Sequence, residues 1–441
     1  MITTDVVIIG AGPGGYRAAE HAAKQGLKVT VFEDSQVGGT CLNVGCIPTK
    51  TYVHSATFDE AVARQQQVVA QLRAGVKTIL SHPNITLVRS RASFVDAHTV
   101  EWADGNRLSA PNIIIATGSE TKYLPLPDID DTRLVDSTGL LALTEQPKKL
   151  AIIGAGVIGM EFAGIFNRFG TEVTVIEFLK ECLPVLDSDI AKRLRKLMEK
   201  RGVTFRMKTA VQQLSDIDAD VILMATGRKP RTEGLALDNL GLALNRDGSI
   251  PVDDCFRVLS PDGSPIDGLY AIGDVNGRQM LAHVAEWQAK QVVGQIVADN
   301  CQFSILRSTS GRSQGENSQF SIVNSQFSSI PAAIFTSPEA ACVGPSEDQL
   351  KAAGTPYECR KAFHRANGKA MAMGETEGML KLFSEPDAGR ILGCHAFGAH
   401  AADMIQEVSV LMCMGATVGQ LRQMIHIHPT LSEILLAAAE Q

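Results

Sequence analysis

Short apolar runs alternate with glycine turns and amphipathic stretches along the first half of the chain. Residues 5–9 (DVVII) are apolar and β-branched without polar alternation, which predicts a strand of a parallel sheet buried on both faces. Gly10-Ala11-Gly12-Pro13-Gly14-Gly15 follows, then a helix from about residue 14 to 25, stopped by Gly26. A second strand over 28–32 ends at Glu33. The same order returns later. A strand at 150–153 leads into Gly154-Ala155-Gly156-Val157-Ile158-Gly159, a helix over 157–169 is ended by Gly170, and a strand over 172–176 ends at Glu177. Gly10 and Gly154, Gly12 and Gly156, Gly15 and Gly159, Gly26 and Gly170, and Glu33 and Glu177 each sit 144 residues apart. One βαβ unit is therefore present twice. A looser echo links IIIATGS at 113–119 with ILMATGR at 222–228. Each apolar strand ends in Ala-Thr-Gly, where Gly118 and Gly227 let the backbone approach a ligand closely.

The remainder reads differently. Residues 303–329 (FSILRSTSGRSQGENSQFSIVNSQFSS) are rich in Ser, Gln and Asn, and Gln-Phe-Ser recurs at 302–304, 319–321 and 326–328. This composition predicts a flexible low-complexity insertion. From 331 to 441, strand-like stretches (MLKLF, ILGCHAFG) precede an apolar helix near 402–415, and no dinucleotide turn occurs. A third domain of another kind is expected there.

Composition narrows the class. A chain of 441 residues has room for about three domains. Hydrophobic residues at 45% and charged residues at 20% exclude a wholly disordered chain. A net charge of −7, from 41 basic and 48 acidic residues, argues against a nucleic-acid or anionic-membrane surface. No apolar run of about 18 residues is present, so no membrane span is expected. MITTDVVIIGAG has no basic region before its apolar stretch, which argues against a signal peptide and for a cytoplasmic protein. Nine Cys are then expected mostly as thiols, and any disulfide as a working one.

Four motifs carry chemistry. In each GxGxxG the first Gly permits the tight turn, the second admits a pyrophosphate, and the third lets helix and strand pack closely. The helix N-terminus attracts the phosphates, and the acid at Glu33 or Glu177 can accept from ribose hydroxyls. The Glu177 carboxylate would repel a 2′-phosphate, which favours NAD over NADP at the second turn, with Arg168 and Lys180 nearby. Next, GGTCLNVGCIPTK at 38–50 sets Cys41 and Cys46 five positions apart, directly after the first βαβ unit. A helix starting near them would lower thiol pKa through its dipole. No second Cys pair completes a metal site, so redox work is the reading and no metal is expected. Near the C-terminus, His426-Ile427-His428-Pro429-Thr430-Leu431-Ser432-Glu433 can supply a base whose tautomer the carboxylate fixes. Pro429 keeps His428 out of helical geometry, but spacing does not choose between His426 and His428. Last, GLYAIGD at 268–274 ends a strand at Asp274, an acceptor that could reach a ligand hydroxyl or simply close a turn.

Together these residues resemble the flavin-dependent pyridine-nucleotide disulfide oxidoreductases, most specifically through GGTCLNVGCIPTK and HPTLSE, over nearly the whole chain outside 303–329. Within that family the likeness is to members that oxidise protein-bound dihydrolipoamide. The resemblance implies an α/β fold with two Rossmann-like dinucleotide-binding domains and an α+β C-terminal dimerisation domain. The domains would be an FAD-binding domain at 1–147 completed by 248–302, an NAD-binding domain at 148–247, an insertion at 303–330, and an interface domain at 331–441. It implies FAD on Gly10, Gly12 and Gly15, with Glu33 on the adenosine ribose, Asp274 near the ribityl chain, and 280–283, including Ala282, near the ring. NAD would sit on Gly154, Gly156, Gly159 and Glu177, and Gly118 and Gly227 count among the cofactor-binding residues. Cys41 would be the interchange thiol and Cys46 the flavin-side thiol of a redox disulfide, with Lys50 by the flavin and paired with Glu161. His428 would be the base and Glu433 its partner, supplied by the other subunit of a homodimer. The protein partner would be a lipoyl domain of a 2-oxo-acid dehydrogenase complex or a glycine-cleavage carrier protein.

Rivals use the same machinery. A glutathione-type reductase would want positive charge where Glu177 stands, and a mercuric reductase a C-terminal Cys pair where this chain ends LLAAAEQ. A non-catalytic nucleotide-binding protein would leave Cys41, Cys46 and His428 without a joint purpose. The stretches from Lys50 to Thr86 and from Glu177 to Ala225 are shorter than the family pattern.

Overall fold

Val6–Ile9 and Val29–Phe32 are buried at every position, as strands covered on both faces require. They pair in parallel at the centre of a six-stranded sheet ordered Arg257–Leu259, Pro265–Ala271, Asn112–Ile115, Val6–Ile9, Val29–Phe32, Ile85–Val88. The helix Pro13–Lys24 packs against the long helix Ala282–Leu306. A second parallel sheet runs Thr204–Arg206, Glu172–Ile176, Lys149–Ile153, Val221–Met224, Leu134–Val135. The duplication extends to register. Val6 pairs with Val29 and Leu150 with Val173, the same offset of 144 that relates the glycines.

The computed structural model describes residues 4–103, 105–306 and 330–441. It separates into two packed units. One holds the chain up to Thr51, Asp59–Lys122 and the stretch from Gly227 into the long helix; the other holds Tyr52–Phe58, Tyr123–Thr226 and the C-terminal segment to Gln441. The chain thus returns to the first unit at Gly227, ahead of the boundary at 248 expected from the sequence. The physical reason is pairing: Arg228–Pro230 forms an antiparallel ladder with Ser119–Thr121, and the Phe94 N–H donates to the Leu235 carbonyl at 2.9 Å. The helix Ala282–Leu306 also continues past residue 303, where a loop was expected; the rest of that insertion, 307–329, lies outside the described residues.

In the second unit the C-terminal segment folds as an antiparallel sheet ordered Ala332–Ile334, Ala340–Val343, Ile391–Phe397, Met379–Ser384, Glu358–Phe363. Its Leu380, Leu382, Cys394 and Ala396 face a core shared with the helices Ala401–Cys413 and Glu433–Ala439. Alternation sends Lys381 and His395 to the opposite face. There the fully buried Lys381 ammonium lies 2.7 Å from Asp187 Oδ1 and 2.6 Å from Glu347 Oε2, and the Asp187 N–H donates to His395 Nδ1 at 2.9 Å. Asp187 is also the N-cap of the helix Ser188–Lys200, so one carboxylate ties the parallel-sheet part to the antiparallel part. Among the described residues, no helix is long and apolar enough to cross a membrane.

Candidate active site

The two glycine turns are built alike. Gly10 and Gly154 take φ of 105° and 107°, and a Cβ on either would collide with the carbonyl of Ala116 or Ala225 at the end of the adjacent strand. A Cβ on Gly15 or Gly159 would strike the carbonyl of Gly10 or Gly154, so the third glycine is what lets each helix sit on its strand. The middle glycines differ. A Cβ on Gly156 would meet nothing within 4 Å among the described residues, and on Gly12 only Gly39 Cα at 3.9 Å. Gly12 and Gly156 are the N-caps of 12-residue helices, so Gly156 borders open space, and Gly12 a space touched only by Gly39, where backbone N–H groups and helix dipole converge. A side chain would fill that cradle, and a pyrophosphate fits it.

The two acids bond to their own turns. Glu33 accepts from the N–H of Ala11 at 2.8 Å and of Ser35 at 2.9 Å. Glu177 accepts from Ala155 at 2.6 Å and Leu179 at 2.7 Å. Each carboxylate thereby pins its own glycine turn, and still has lone pairs for sugar hydroxyls.

The redox motif packs directly on the first turn. Gly38 N–H donates to the Ala11 carbonyl at 2.8 Å, and Gly39, at φ 59°, approaches Gly12 so closely that a Cβ there would meet Gly12 Cα at 2.7 Å. Cys41 lies in the short helix Gly39–Val44 and Cys46 opens the helix Cys46–Val53. Both stand as thiols, Cys41 half-buried and Cys46 exposed. Asn43 clamps the bend by donating to the carbonyls of Val37 at 3.0 Å and Gly39 at 2.9 Å, while Arg73 Nε donates to Asn43 Oδ1 at 2.8 Å. Asn43 was not singled out in the sequence; its place inside the motif was the available signal.

The expected lowering of thiol pKa does not hold for Cys41. Its thiol is pushed well up, first by the hydrogen bond to Cys46, then by burial and by negative charge on Cys46, with Lys50 pulling the other way. A neighbouring thiol and burial both favour the neutral form, against the lowering expected from a helix start.

The stretches that follow the two Ala-Thr-Gly ends lie in the first unit. Residues just after them pair as strands, and Arg228 Nε donates to Ser119 Oγ at 2.7 Å while its Nη2 donates to the Ser119 carbonyl at 2.7 Å. Ser119 Oγ in turn donates to Asp274 Oδ2 at 2.5 Å. Burial pushes the Asp274 carboxyl up, and Ser119 and Arg228 oppose it. Asp274 sits in the one-turn helix Gly273–Asn276, and Ala282 opens the long helix that follows. Ser119 and Arg228 escaped the sequence reading because their meeting depends on a ladder between strands 109 residues apart.

In the second unit, His428 Nδ1 is 2.9 Å from Glu433 Oε1, and Glu433 Oε2 accepts the Thr430 N–H at 2.8 Å. The His428 hydrogen bond, then the Thr430 N–H, holds the Glu433 carboxyl below its ordinary range. His428 is 80% exposed, and its peptide bond to Pro429 is cis. His426 is instead turned inward, 7% exposed, with Nε2 3.2 Å from Glu407. Geometry therefore separates the two histidines that spacing left level. Glu161, also in this unit, is buried and accepts the Phe335 N–H at 2.8 Å. Ile425 and Ile427, on either side of His426, are exposed apolar side chains.

Residues 4–289 match the model of the pyridine nucleotide-disulphide oxidoreductase family, and residues 330–439 match that family's dimerisation domain. The chain belongs to this family. As a member it is an FAD-dependent oxidoreductase working with a nicotinamide dinucleotide, and its dimerisation domain supports a homodimer. The family chain is 34% identical to the mitochondrial dihydrolipoyl dehydrogenase of Pisum sativum, covering 99% of itself and 90% of that protein. It is also 34% identical to leghemoglobin reductase of Glycine max, covering 99% and 87%. Among solved structures, the HOCl-induced flavoprotein disulfide reductase RclA from Escherichia coli superposes with a TM-score of 0.87 at 31% identity, over 99% of each chain.

Proposed function

We propose that the chain is a dihydrolipoamide dehydrogenase, oxidising protein-bound dihydrolipoamide to lipoamide with reduction of NAD to NADH. The observation that carries this reading is the exposed His428 imidazole, oriented by Glu433 at 2.9 Å, in a chain that also holds Cys41 and Cys46 against a dinucleotide turn. A dithiol substrate needs both a disulfide to exchange with and a base to ionise it.

With Nδ1–H directed to Glu433, Nε2 of His428 is the nitrogen that takes a substrate thiol proton. The resulting thiolate attacks Cys41 Sγ in the Cys41–Cys46 disulfide; that bond breaks and Cys46 leaves as thiolate. The second substrate thiol then attacks the mixed disulfide, releasing cyclic lipoamide and leaving the cysteines as a dithiol. The hydrogen bond to Cys46 and burial push the Cys41 thiol up, which disfavours its attack back on the product. When bound, FAD supplies the two-electron link between this dithiol and the nicotinamide. Gly10, Gly12, Gly15, Glu33, Lys50, Gly118, Asp274 and Ala282 would hold the flavin, and Gly154, Gly156, Gly159, Glu177 and Gly227 the NAD. The proposed protein partner is a lipoyl domain, and the proposed setting the cytoplasm, where thiols stay reduced.

A second reading, reduction of a different small disulfide, is favoured by the likeness to the E. coli flavoprotein disulfide reductase. Assays of dihydrolipoamide with NAD and of glutathione disulfide with NADPH, run side by side, separate the two. Turnover of the first pair is expected; turnover of the second alone would reverse the assignment. Cys46→Ser and His428→Ala are each expected to abolish lipoamide turnover while keeping flavin bound, and normal turnover in either removes its role.

A further inference from the structure

His428 is 80% exposed, so packing does not hold its ring; its orientation depends on a chain of hydrogen bonds. Glu433 fixes Nδ1 with one carboxylate oxygen, and Glu433 is itself fixed through the other by the Thr430 N–H at 2.8 Å. Thr430 is held in turn. Its hydroxyl donates to the Ile427 carbonyl at 2.7 Å, and its own carbonyl accepts from Asn367 Nδ2 at 3.0 Å. Asn367 is the buried end of this chain, 8% exposed, and it lies 63 residues earlier, at the start of the helix Gly368–Met373. Its other side-chain atom is already committed: Asn367 Oδ1 caps that helix by accepting the Ala370 N–H at 2.9 Å.

We propose that Asn367 is a positioning residue for the His428 base, holding Thr430 so that Glu433 presents the imidazole in one tautomer and one orientation. This rests on His428 being the base. A buried amide anchored to a helix is rigid, whereas the HPT loop carries an exposed ring that must meet a substrate thiol within hydrogen-bond reach. The two ends of the Asn367 amide do separate work, so they can be separated. Asn367→Asp keeps an oxygen for the cap but loses the N–H donor and sets a carboxylate oxygen against the Thr430 carbonyl. Asn367→Ser also keeps a cap and is too short to reach Thr430.

The test uses flavin-loaded wild type, Asn367→Asp, Asn367→Ser and His428→Ala. Two rates are read: dihydrolipoamide oxidation by NAD, and NADH-driven reduction of ferricyanide, which bypasses the dithiol site. Both Asn367 variants are expected to lower kcat for dihydrolipoamide between about tenfold and a hundredfold, with the KM for NAD and the ferricyanide rate at wild-type values. Wild-type kcat in both Asn367 variants, with His428→Ala inactive, overturns the proposal and leaves the base in place. Loss of the ferricyanide rate in step with kcat also overturns it, because Asn367 would then support the fold alone. Retained dihydrolipoamide turnover in His428→Ala removes the base itself, and the proposal with it.

Discussion

Gly156 and Gly159 are three residues apart and face opposite constraints. At Gly159 a side chain would enter the Gly154 carbonyl, whereas at Gly156 it would enter open space, with φ of −76° that any residue tolerates. Gly156→Ala is therefore expected to leave stability within about 0.5 kcal/mol and to raise the KM for the nicotinamide dinucleotide at least tenfold. Gly159→Ala is expected to destabilise the second unit by about 1–3 kcal/mol through overpacking. Urea unfolding beside NADH kinetics checks both; an unchanged KM in Gly156→Ala would mean that no phosphate sits at that turn. These roles were legible from GxGxxG, because turn, approach and packing act within six residues. The protonation of Cys41 was not legible, because it depends on a second sulfur and on local burial.

Element pairing brings Ser119 and Arg228 to Asp274. The sequence showed two Ala-Thr-Gly ends and a separate Gly-Asp, without a sign that the three converge. The antiparallel ladder Ser119–Thr121 with Arg228–Pro230 joins them, and it also draws the chain back to the first unit at Gly227. Burial already pushes the Asp274 carboxyl up, and Ser119 holds it down. In Ser119→Ala only Arg228 still opposes burial, so Asp274 takes its proton at higher pH. Flavin release on acidification is then expected to begin at higher pH than in wild type, read by the fluorescence of freed flavin. Coincident release curves would show that Asp274 does not hold the flavin through its charge.

At the largest scale, the second unit depends on a buried charge cluster. Lys381 sits between Asp187 and Glu347, and removing the cation would leave two carboxylates without it. Lys381→Met is expected to cost about 3–5 kcal/mol, measured by urea unfolding. Burial pushes the Glu347 carboxyl up, but Lys351, Lys381 and Tyr357 outweigh it and bring it down to about 2. Its contribution is complete above the ordinary carboxylate range and is lost as pH falls toward 2. Burial lowers His395 to about 4, so the unfolded chain takes up a proton first and stability falls as pH drops from about 6.5 toward 4. Acid is thus expected to loosen this unit from pH 6.5 downward, and a flat stability profile between pH 6.5 and 4 would contradict the neutral buried histidine.

The sequence by itself determined the duplicated βαβ unit, the two phosphate turns with their acids, the cysteine pair, and the family. Each is a local pattern, with spacings set by one turn, one helix or one strand. Only the tertiary structure decided which histidine faces outward with a carboxylate, that Arg228 and Ser119 meet and Ser119 closes on Asp274, and that Asn367 reaches Thr430. It also decided that the Cys41 thiol is pushed up rather than down. The Ser119 and Asn367 contacts depend on groups brought together across tens to hundreds of residues, and the histidine and cysteine outcomes on which way near neighbours turn and how far they are buried, which spacing along the chain does not encode.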